Sequence, residues 1–510
     1  MIRPAVDKGR ARDAVEMMSE PWLITGATDG VGLALARHCL SHEWEVIMVG
    51  RKALVELSEQ IFTTESYCQA DLSKPESVEK IVAFLNARKI ERLRGVIHNA
   101  ALGWVGEMAE QTLENVEMLT EVNLVAPIRL TQALWNRAER VIFISSIVAD
   151  FPSPRYAVYA ATKGALDALA RSLRAEGGGP HIQTLHLGAV RSGFHAKAGM
   201  TLADSVRDEF PSPEKAARWI AGKLVTADSQ STMGLKNRMI RGLSWLLQAP
   251  ISRGLPWRFG VKPAGMVASS GKHAVVTGSS QGIGAALVED LRQRGYAVTG
   301  VDLSVQGAEV TADLSKSDGV SRVIETLATL PPIDLLIHNA GINTTGAFAS
   351  IAESKWLPVV RVNLLAPMLL TLGLLQRNRL AIGGTIVFIS SLSRYSGYPG
   401  ASVYAATKAG LAAYASSLRA AFDPACLRVM SVFPGPTRTA HAREHSPDNC
   451  NEHRRMEPTA LARRTIRAVE QRHARLVPGP GNQLSAWLGW LAPGLMMRIV
   501  RKLLFKKMKK

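Results

Sequence analysis

The sequence predicts an α/β protein built as two doubly wound parallel-sheet domains in tandem. Three observations carry this expectation: the chain repeats itself once, each copy alternates short apolar runs with longer helical patterns, and each copy opens on a glycine-rich turn. "LITGATDGVGLALA" from Leu23 returns as "VVTGSSQGIGAALV" from Val275. "GVIHNAAL" returns as "LLIHNAGI", "RVIFISSI" as "TIVFISSL", and "AVYAATKGALDALARSLRA" as "SVYAATKAGLAAYASSLRA". Solenoid units are only about 20–50 residues long, so a repeat of this period means two whole domains.

A chain of 510 residues exceeds one ordinary core, and 47% hydrophobic with 20% charged residues fits a folded protein. The expected partition is an extension over 1–20, a first domain over 21–258, a linker over 259–272, a second domain over 273–480 and a basic tail over 481–510. The runs "WLIT", "EVIMVG", "GVIH" and "VIFISS" in the first copy, and "AVVTG", "AVTGVD", "LLIH" and "TIVFIS" in the second, are continuously apolar. Strands of that kind are buried on both faces, as in a parallel sheet between helices.

The net charge of +18 gathers largely in tails and connecting helices. The end "RIVRKLLFKKMKK" holds seven cations and no acid, a pattern suited to phosphate, anionic lipid or water. The absence of zinc spacing, a helix-turn-helix pattern or an RNA-stacking motif argues against nucleic acid as partner. Cys39, Cys68, Cys426 and Cys450 are scattered, which fits reduced thiols in the cytoplasm and no metal site. The N-terminus is charged throughout and does not read as a secretory signal. Leu476–Met497 is uncharged but broken by Gly and Pro, so it suits a surface helix better than a spanning one. Trp245 and Trp257, like Trp487 and Trp490, mix with Leu beside Arg and Lys, as in interfacial helices that touch a membrane peripherally. The competing expectation is that they pack on protein.

Each glycine turn sits between a strand and a helix. Gly26, Gly30 and Gly32 with Asp29 and Val31, and Gly278, Gly282 and Gly284 with Gln281 and Ile283, let backbone amides approach a pyrophosphate at a helix N-terminus. The fold expected is therefore Rossmann-like. After the second strand the copies differ. Arg51 in "VGRK" suits a 2′-phosphate, whereas Asp302 in "VTGVDLS" suits a free 2′-hydroxyl and repels a phosphate. This predicts NADP(H) in the first domain and NAD(H) in the second. The bland alternative makes both residues solvated loop charges. Asp71 and Asp313, after the next strand, suit an adenine amino group or a helix cap equally.

At the chemical end, Tyr159 and Lys163, like Tyr404 and Lys408, lie four apart on one helix face. A free phenol titrates near about 10, too high for efficient proton exchange at neutral pH, and a neighbouring ammonium lowers that value. Ser146 and Ser391 each precede their tyrosine by 13 residues and can orient a carbonyl oxygen. Asn123 and Asn363 complete the set, each at an expected helix start in "VNL". Singly, each residue has a dull explanation as surface or turn chemistry. The same ordered set behind two dinucleotide turns does not.

These residues resemble the short-chain dehydrogenase/reductase family through TGxxxGxG, the "HNA" segment, Asn, Ser and YxxxK. The resemblance covers about 20–225 and 270–475. It implies an NAD(P)-dependent oxidoreductase interconverting ketone and alcohol. It also implies catalytic roles for Asn123, Ser146, Tyr159, Lys163, Asn363, Ser391, Tyr404 and Lys408, the lysines also holding the nicotinamide ribose. Asn99 and Asn339 match the stretch beside the cofactor, and Pro434-Gly435 the family's motif after the sixth strand. The first copy departs twice, with Ala101 where Gly341 stands and Leu187 where Pro434 stands. Substrate choice is expected from about 191–215 and 437–460, the latter suited equally to attracting a carboxylate, phosphate or carrier-linked acyl group and to serving as an exposed lid without charge preference. The family's dimer helices imply that the two copies pair within one chain. Two enzyme readings compete: two active sites working in sequence on a small carbonyl or alcohol substrate, or one active reductase domain beside a cofactor-binding pseudoenzyme scaffold. A sugar-nucleotide enzyme is disfavoured by the short segments after each sheet.

Overall fold

A computed structural model describes residues 20–201, 203–243, 266–269, 271–445, 449 and 452–500. The expectations for the N-terminal extension to residue 19, for Trp245 and Trp257, for most of the linker, for Cys450 and for the last ten residues fall outside the described residues, as does the Trp490 side chain. Among the described residues there are two seven-stranded parallel sheets. The first holds β1 (Trp22–Thr25), β2 (Val46–Gly50), β3 (Tyr67–Gln69), β4 (Gly95–His98), β5 (Arg140–Ser146), β6 (His181–Leu187) and β7 (Gln230–Thr232), in the order 3-2-1-4-5-6-7. The second holds β8 (His273–Thr277), β9 (Ala297–Asp302), β10 (Val310–Thr311), β11 (Ile333–His338), β12 (Leu380–Ile389), β13 (Leu427–Val432) and β14 (Arg475–Leu476), in the equivalent order.

The longer helices of the first repeat are α1 (Gly30–Leu40), α2 (Ser77–Ala87), α3 (Leu113–Thr120), α4 (Ala126–Ala133), α5 (Ala157–Glu176) and α6 (Pro213–Leu224). Those of the second are α7 (Gly282–Gln293), α8 (Ser317–Ala328), α9 (Glu353–Val360), α10 (Ala366–Gln376), α11 (Ser402–Ala421) and α12 (Pro458–Glu470), followed by α13 (Pro480–Leu491) and α14 (Pro493–Val500). The tandem Rossmann-like α/β architecture read from the sequence is the one observed.

The central strands are apolar on both faces because helices cover both. Leu23 of β1 pairs with Ile47 on one side and Val96 on the other. Val275 of β8 pairs with Thr299 and Leu336 in the same way. Strand order reverses beside β1 and beside β8, which opens a crevice above the C-terminal strand ends. One face of the first sheet buries Leu35 and Cys39 of α1 with Ile220 and Leu224 of α6. The second sheet buries Leu287 and Leu291 of α7 with Leu461 and Ile466 of α12.

The described chain divides into two compact units that cut across the repeats. The first gathers the residues up to Leu102 with Glu121–Ser146 and Gly177–Arg238, and so contains the whole first sheet. The second gathers Gly103–Thr120 and Ile147–Glu176 with the residues from Met239 onward, so α3 and α5 stand with the second sheet. Inside this second unit α5 and α11 lie against each other at small residues. A Cβ placed on Gly164 would come within 2.9 Å of the Ala413 Cβ, and one on Gly410 within 2.8 Å of the Ala161 carbonyl oxygen.

One expectation needs correction. Asn123 and Asn363 do not start helices; each lies in a π-helical turn, Glu121–Val125 or Arg361–Leu365, between two α-helical stretches. The cause is local. Pro127 and Pro367 stand four residues beyond the asparagines and have no N–H to offer their carbonyls, so the helix widens by one residue there. Among the described residues Glu353–Gln376 is long and apolar enough to cross a membrane, and 78% of its apolar window is buried in the protein. The C-terminal helices expose Leu484, Trp487, Leu491 and Leu495.

Candidate active site

The two glycine turns are tight enough to serve a dinucleotide. Gly26 and Gly278 hold φ of 66° and 69°, a left-handed conformation that side chains disfavour. A Cβ on Gly32 would fall 2.1 Å from the Gly26 carbonyl oxygen, and one on Gly284 only 1.7 Å from that of Gly278. The α1 and α7 N-termini can therefore present free backbone amides at the crevice, with Val31 and Ile283 in their first turns, and the residues present fit a pyrophosphate. Asn99 and Asn339 brace this geometry. The Asn99 side-chain amide donates to the Thr25 carbonyl at 3.0 Å, and that of Asn339 to the Thr277 and Gly278 carbonyls, each at 3.0 Å.

The copies diverge around these turns. Asp29 caps α1 by accepting from the Gly30 amide at 2.7 Å, and its carboxylate pairs with Lys197. Gln281, its counterpart, makes no side-chain cap. Arg51 is exposed just past β2. Asp302 is tied down instead, accepting from the Ser280 amide at 2.9 Å and the Ser304 amide at 3.1 Å. Asp71 and Asp313 accept from the Ser73 and Ser315 amides at 3.0 and 2.9 Å. The helix-cap alternative for this pair is thereby corrected: α2 and α8 begin several residues later, behind Glu76 and Lys316, and the aspartates close turns ahead of them.

In the second repeat the four chemical residues converge on the ends of β11 and β12. Asn363 accepts from the Ile342 amide and donates to the Ile342 carbonyl, both at 2.8 Å, and also donates to the Thr407 hydroxyl at 3.2 Å. Ser391, just beyond β12, accepts from the Ser393 amide at 3.2 Å. The buried Lys408 donates to the Ile389 carbonyl at 3.0 Å, with its nitrogen 5.9 Å from the centre of the Tyr404 ring. Tyr404 keeps some exposed surface, yet desolvation pushes its hydroxyl up to about 12, against a hydrogen bond with Ser391 that pulls it down. Burial likewise brings Lys408 down to about 8. The expectation that the lysine makes this phenol acidic is not met in this arrangement: burial acts most on it, and the contact that lowers it is Ser391.

In the first repeat, Asn123 makes the equivalent pair of bonds with Leu102, at 2.8 and 2.9 Å, and Ser146 closes β5. On α5, Lys163 stands 5.7 Å from the centre of the Tyr159 ring, and burial brings it down to about 8 against the pull of Asp167. The Ala101 substitution acquires a physical meaning from the second repeat. A Cβ on Gly341 would stand 3.1 Å from the Lys408 nitrogen and 3.4 Å from the Asn363 side-chain oxygen, so a methyl there crowds the lysine.

Sequence reasoning passed over several residues. His98 and His338 tie each sheet to a helix, through Thr131 at 2.9 Å and Thr371 at 3.0 Å. Their repetition within "IHNA" was the available signal. Asn237 and Asn482 crowd the glycines after the sixth strands: a Cβ on Gly188 would lie 2.5 Å from the first, and one on Gly435, which follows Pro434, 2.4 Å from the second. The segments expected to choose substrate lie close by. A cleft in the first is bordered by Arg191, His195, Met200 and Arg207. In the second, burial, then His445 and Lys408, hold His441 down at about 4, so it is neutral at physiological pH.

Comparison with known proteins agrees with this geometry. The model of the short chain dehydrogenase family matches residues 21–201 and again 272–449. The 3-oxoacyl-(acyl-carrier-protein) reductase FabG of Escherichia coli K12 is 30% identical over 191 residues, 35% of this chain and 78% of the relative. Carbonyl reductase family member 4 of Danio rerio is 34% identical over 180 residues, 32% of this chain and 76% of the relative. The crystal structure of an N-terminal ketoreductase from the macrolactin assembly line superposes with a TM-score of 0.56 at 14% identity, over 89% of this chain and 86% of that one, and so shares the fold.

Proposed function

The chain belongs to the short-chain dehydrogenase family and is an NAD(P)-dependent oxidoreductase acting on CH–OH and C=O groups, and on that premise we propose that both repeats hold working sites. The observation that supports this most is the recurrence of Asn, Ser, Tyr and Lys behind a dinucleotide turn in each copy, with the second set converging on the ends of β11 and β12. Bound nicotinamide would supply or accept the hydride. Tyr404 and Tyr159 would give a proton to the substrate oxygen or take one from it, and Ser391 and Ser146 would hold that oxygen. Lys408 and Lys163 would stabilise phenolate as it forms. Burial keeps the Tyr404 proton in place at neutral pH, which suits a proton donor.

The first repeat would take NADP(H) through Arg51 and the second NAD(H) through Asp302. With the cofactor ratios usual in cells, the second site would oxidise an alcohol and the first reduce a ketone, so that one substrate passes through both. Pairing of the repeats within one chain is supported by the small residues between α5 and α11, and peripheral membrane contact by exposed Leu484, Trp487 and Leu491. The relatives named above act on acyl-carrier-linked or carbonyl substrates by name, and the basic residues in 437–460 favour a carrier-linked or otherwise anionic substrate here. The reading of the first repeat as a scaffold is favoured by one feature, the methyl of Ala101 at a position where space beside the lysine is short.

The test is a panel of ketones and alcohols followed at the nicotinamide absorbance, with wild type, Tyr159→Phe and Tyr404→Phe. Sequential action requires that each single variant stop the overall conversion. Either variant completing it refutes the sequence of steps.

A further inference from the structure

We propose that Glu176, the last residue of α5 in the first repeat, is a positioning residue for the site of the second repeat. The inference rests on the reading of Tyr404 as that site's acid and base. Glu176 is 5% exposed, and its carboxylate bridges two loops of the second repeat. One oxygen accepts from the Phe348 amide at 2.6 Å and the other from the Gly400 amide at 3.2 Å. Phe348 belongs to the loop after β11, beyond Gly341. Gly400 ends the segment that enters α11 four residues before Tyr404. The loops are also tied directly, the Gly346 amide donating to the Gly400 carbonyl at 2.9 Å.

The hold extends along α5. Ser172, one turn before Glu176, accepts from the Tyr398 amide at 3.0 Å, and Arg171 donates to the Arg394 carbonyl at 2.7 Å. Tyr398 in turn sets its ring against Tyr404, centres 6.4 Å apart and nearly perpendicular. A buried carboxylate accepting two backbone amides makes strong, directional bonds, and it fixes both loops to a rigid helix. Tyr404 is thereby approached from a segment that α5 holds at three points.

The repeat supplies an internal control. The minor ties are duplicated: Ser417 accepts from the Ser153 amide at 3.4 Å, and the Gly106 amide donates to the Arg155 carbonyl at 3.3 Å. The charged ones are not, since the counterparts of Glu176 and Arg171 are Ala421 and Ser416. Where the glutamate would lie, Ala421 and Leu418 border a cleft with Gly106, Met108 and Arg155. A repeated scaffold that keeps the small contacts and places the carboxylate on one side only stiffens one site selectively.

The experiment uses the full chain with each site silenced in turn. In a Tyr159→Phe background, Glu176→Ala is expected to lower the remaining kcat by about tenfold to a hundredfold, the scale of loss from a displaced catalytic group, with KM for the dinucleotide unchanged. Glu176→Gln keeps the volume and one acceptor and should recover part of the rate. In a Tyr404→Phe background the same substitutions should leave turnover unaltered. Amide hydrogen exchange should quicken over 346–350 and 397–403 but not over 106–110 and 152–158. Unchanged kcat in the Tyr159→Phe background overturns the proposal, as does equal quickening in both repeats. If Tyr159→Phe alone abolishes every single oxidation or reduction step, and not only the overall conversion, the reading of the second site as active fails, and hydrogen exchange still decides whether Glu176 holds the loops.

Discussion

Lys408 donates to the Ile389 carbonyl oxygen at 3.0 Å, at the end of β12, while its nitrogen stands 5.9 Å from the centre of the Tyr404 ring. Four-residue spacing puts the two side chains on one helix face. The strand beneath decides where the ammonium is held, and so its distance from the phenol is set by β12 as well as by the helix.

Removing either phenol should silence its own site. General acid catalysis is worth about 10²–10⁴ in rate, so Tyr404→Phe and Tyr159→Phe should each lower turnover at one site by that order while the fold survives. Steady-state assays with each dinucleotide check this, and a variant that retains full turnover with both would remove the tyrosine from the mechanism.

The lysine should reveal its burial through stability. Lys408 falls to about 8 in the folded chain against an ordinary 10.5, because the charged form is desolvated. Below pH 8 the group is charged in both states and folding carries the full penalty. Between pH 8 and 10.5 the unfolded chain holds a proton that the folded chain has released, so stability rises with pH. The total is on the order of 3 kcal/mol. Lys408→Met should therefore melt higher than wild type at pH 7 and lack that rise; parallel melting curves across pH 7–10.5 would count against it.

Acid should act on a second buried group. Burial holds His338 at about 3 against an ordinary 6.5, so it stays neutral in the fold, bonded to Thr371. Its contribution is whole above pH 6.5 and is lost as pH falls toward 3, because the unfolded chain takes up a proton there, at up to about 1.4 kcal/mol per pH unit. His338→Gln should flatten the acid limb of the unfolding curve followed by circular dichroism. An unchanged limb would exclude this residue as its source.

Cofactor preference should divide at two side chains. A charge-assisted hydrogen bond contributes about 1.5–3 kcal/mol, so Arg51→Ala should weaken NADPH binding by roughly tenfold to a hundredfold and leave NADH nearly unaffected. Asp302→Asn should raise the second site's affinity for NADPH, since it removes the negative charge but keeps an acceptor for the turn. Fluorescence titration of the full chain with each nucleotide reads both effects, and indifference of NADPH affinity to Arg51→Ala would refute the assignment.

Much of the site was legible because it is local or repeated. The glycine turns need left-handed backbone at Gly26 and Gly278, which few other residues tolerate, and Tyr–Lys spacing follows from helix geometry. The π turns at Asn123 and Asn363 were written in Pro127 and Pro367 and were missed because a helix start and an internal widening leave similar patterns. Three further features had no local signature: the raised phenol of Tyr404, the lysine bond to Ile389, and Asn237 and Asn482 against Gly188 and Gly435, far back along the chain.

The amino-acid order alone settled that this chain holds two α/β sheets, each headed by a dinucleotide turn and each bearing the same four chemical groups, because those features depend on backbone conformation and on residues a few places apart. Folding in three dimensions decided how strongly each group is desolvated and which distant groups hold it. Glu176 reaches Phe348 and Gly400 across more than 170 residues of chain, and contacts of that kind are set by packing, which no spacing rule encodes.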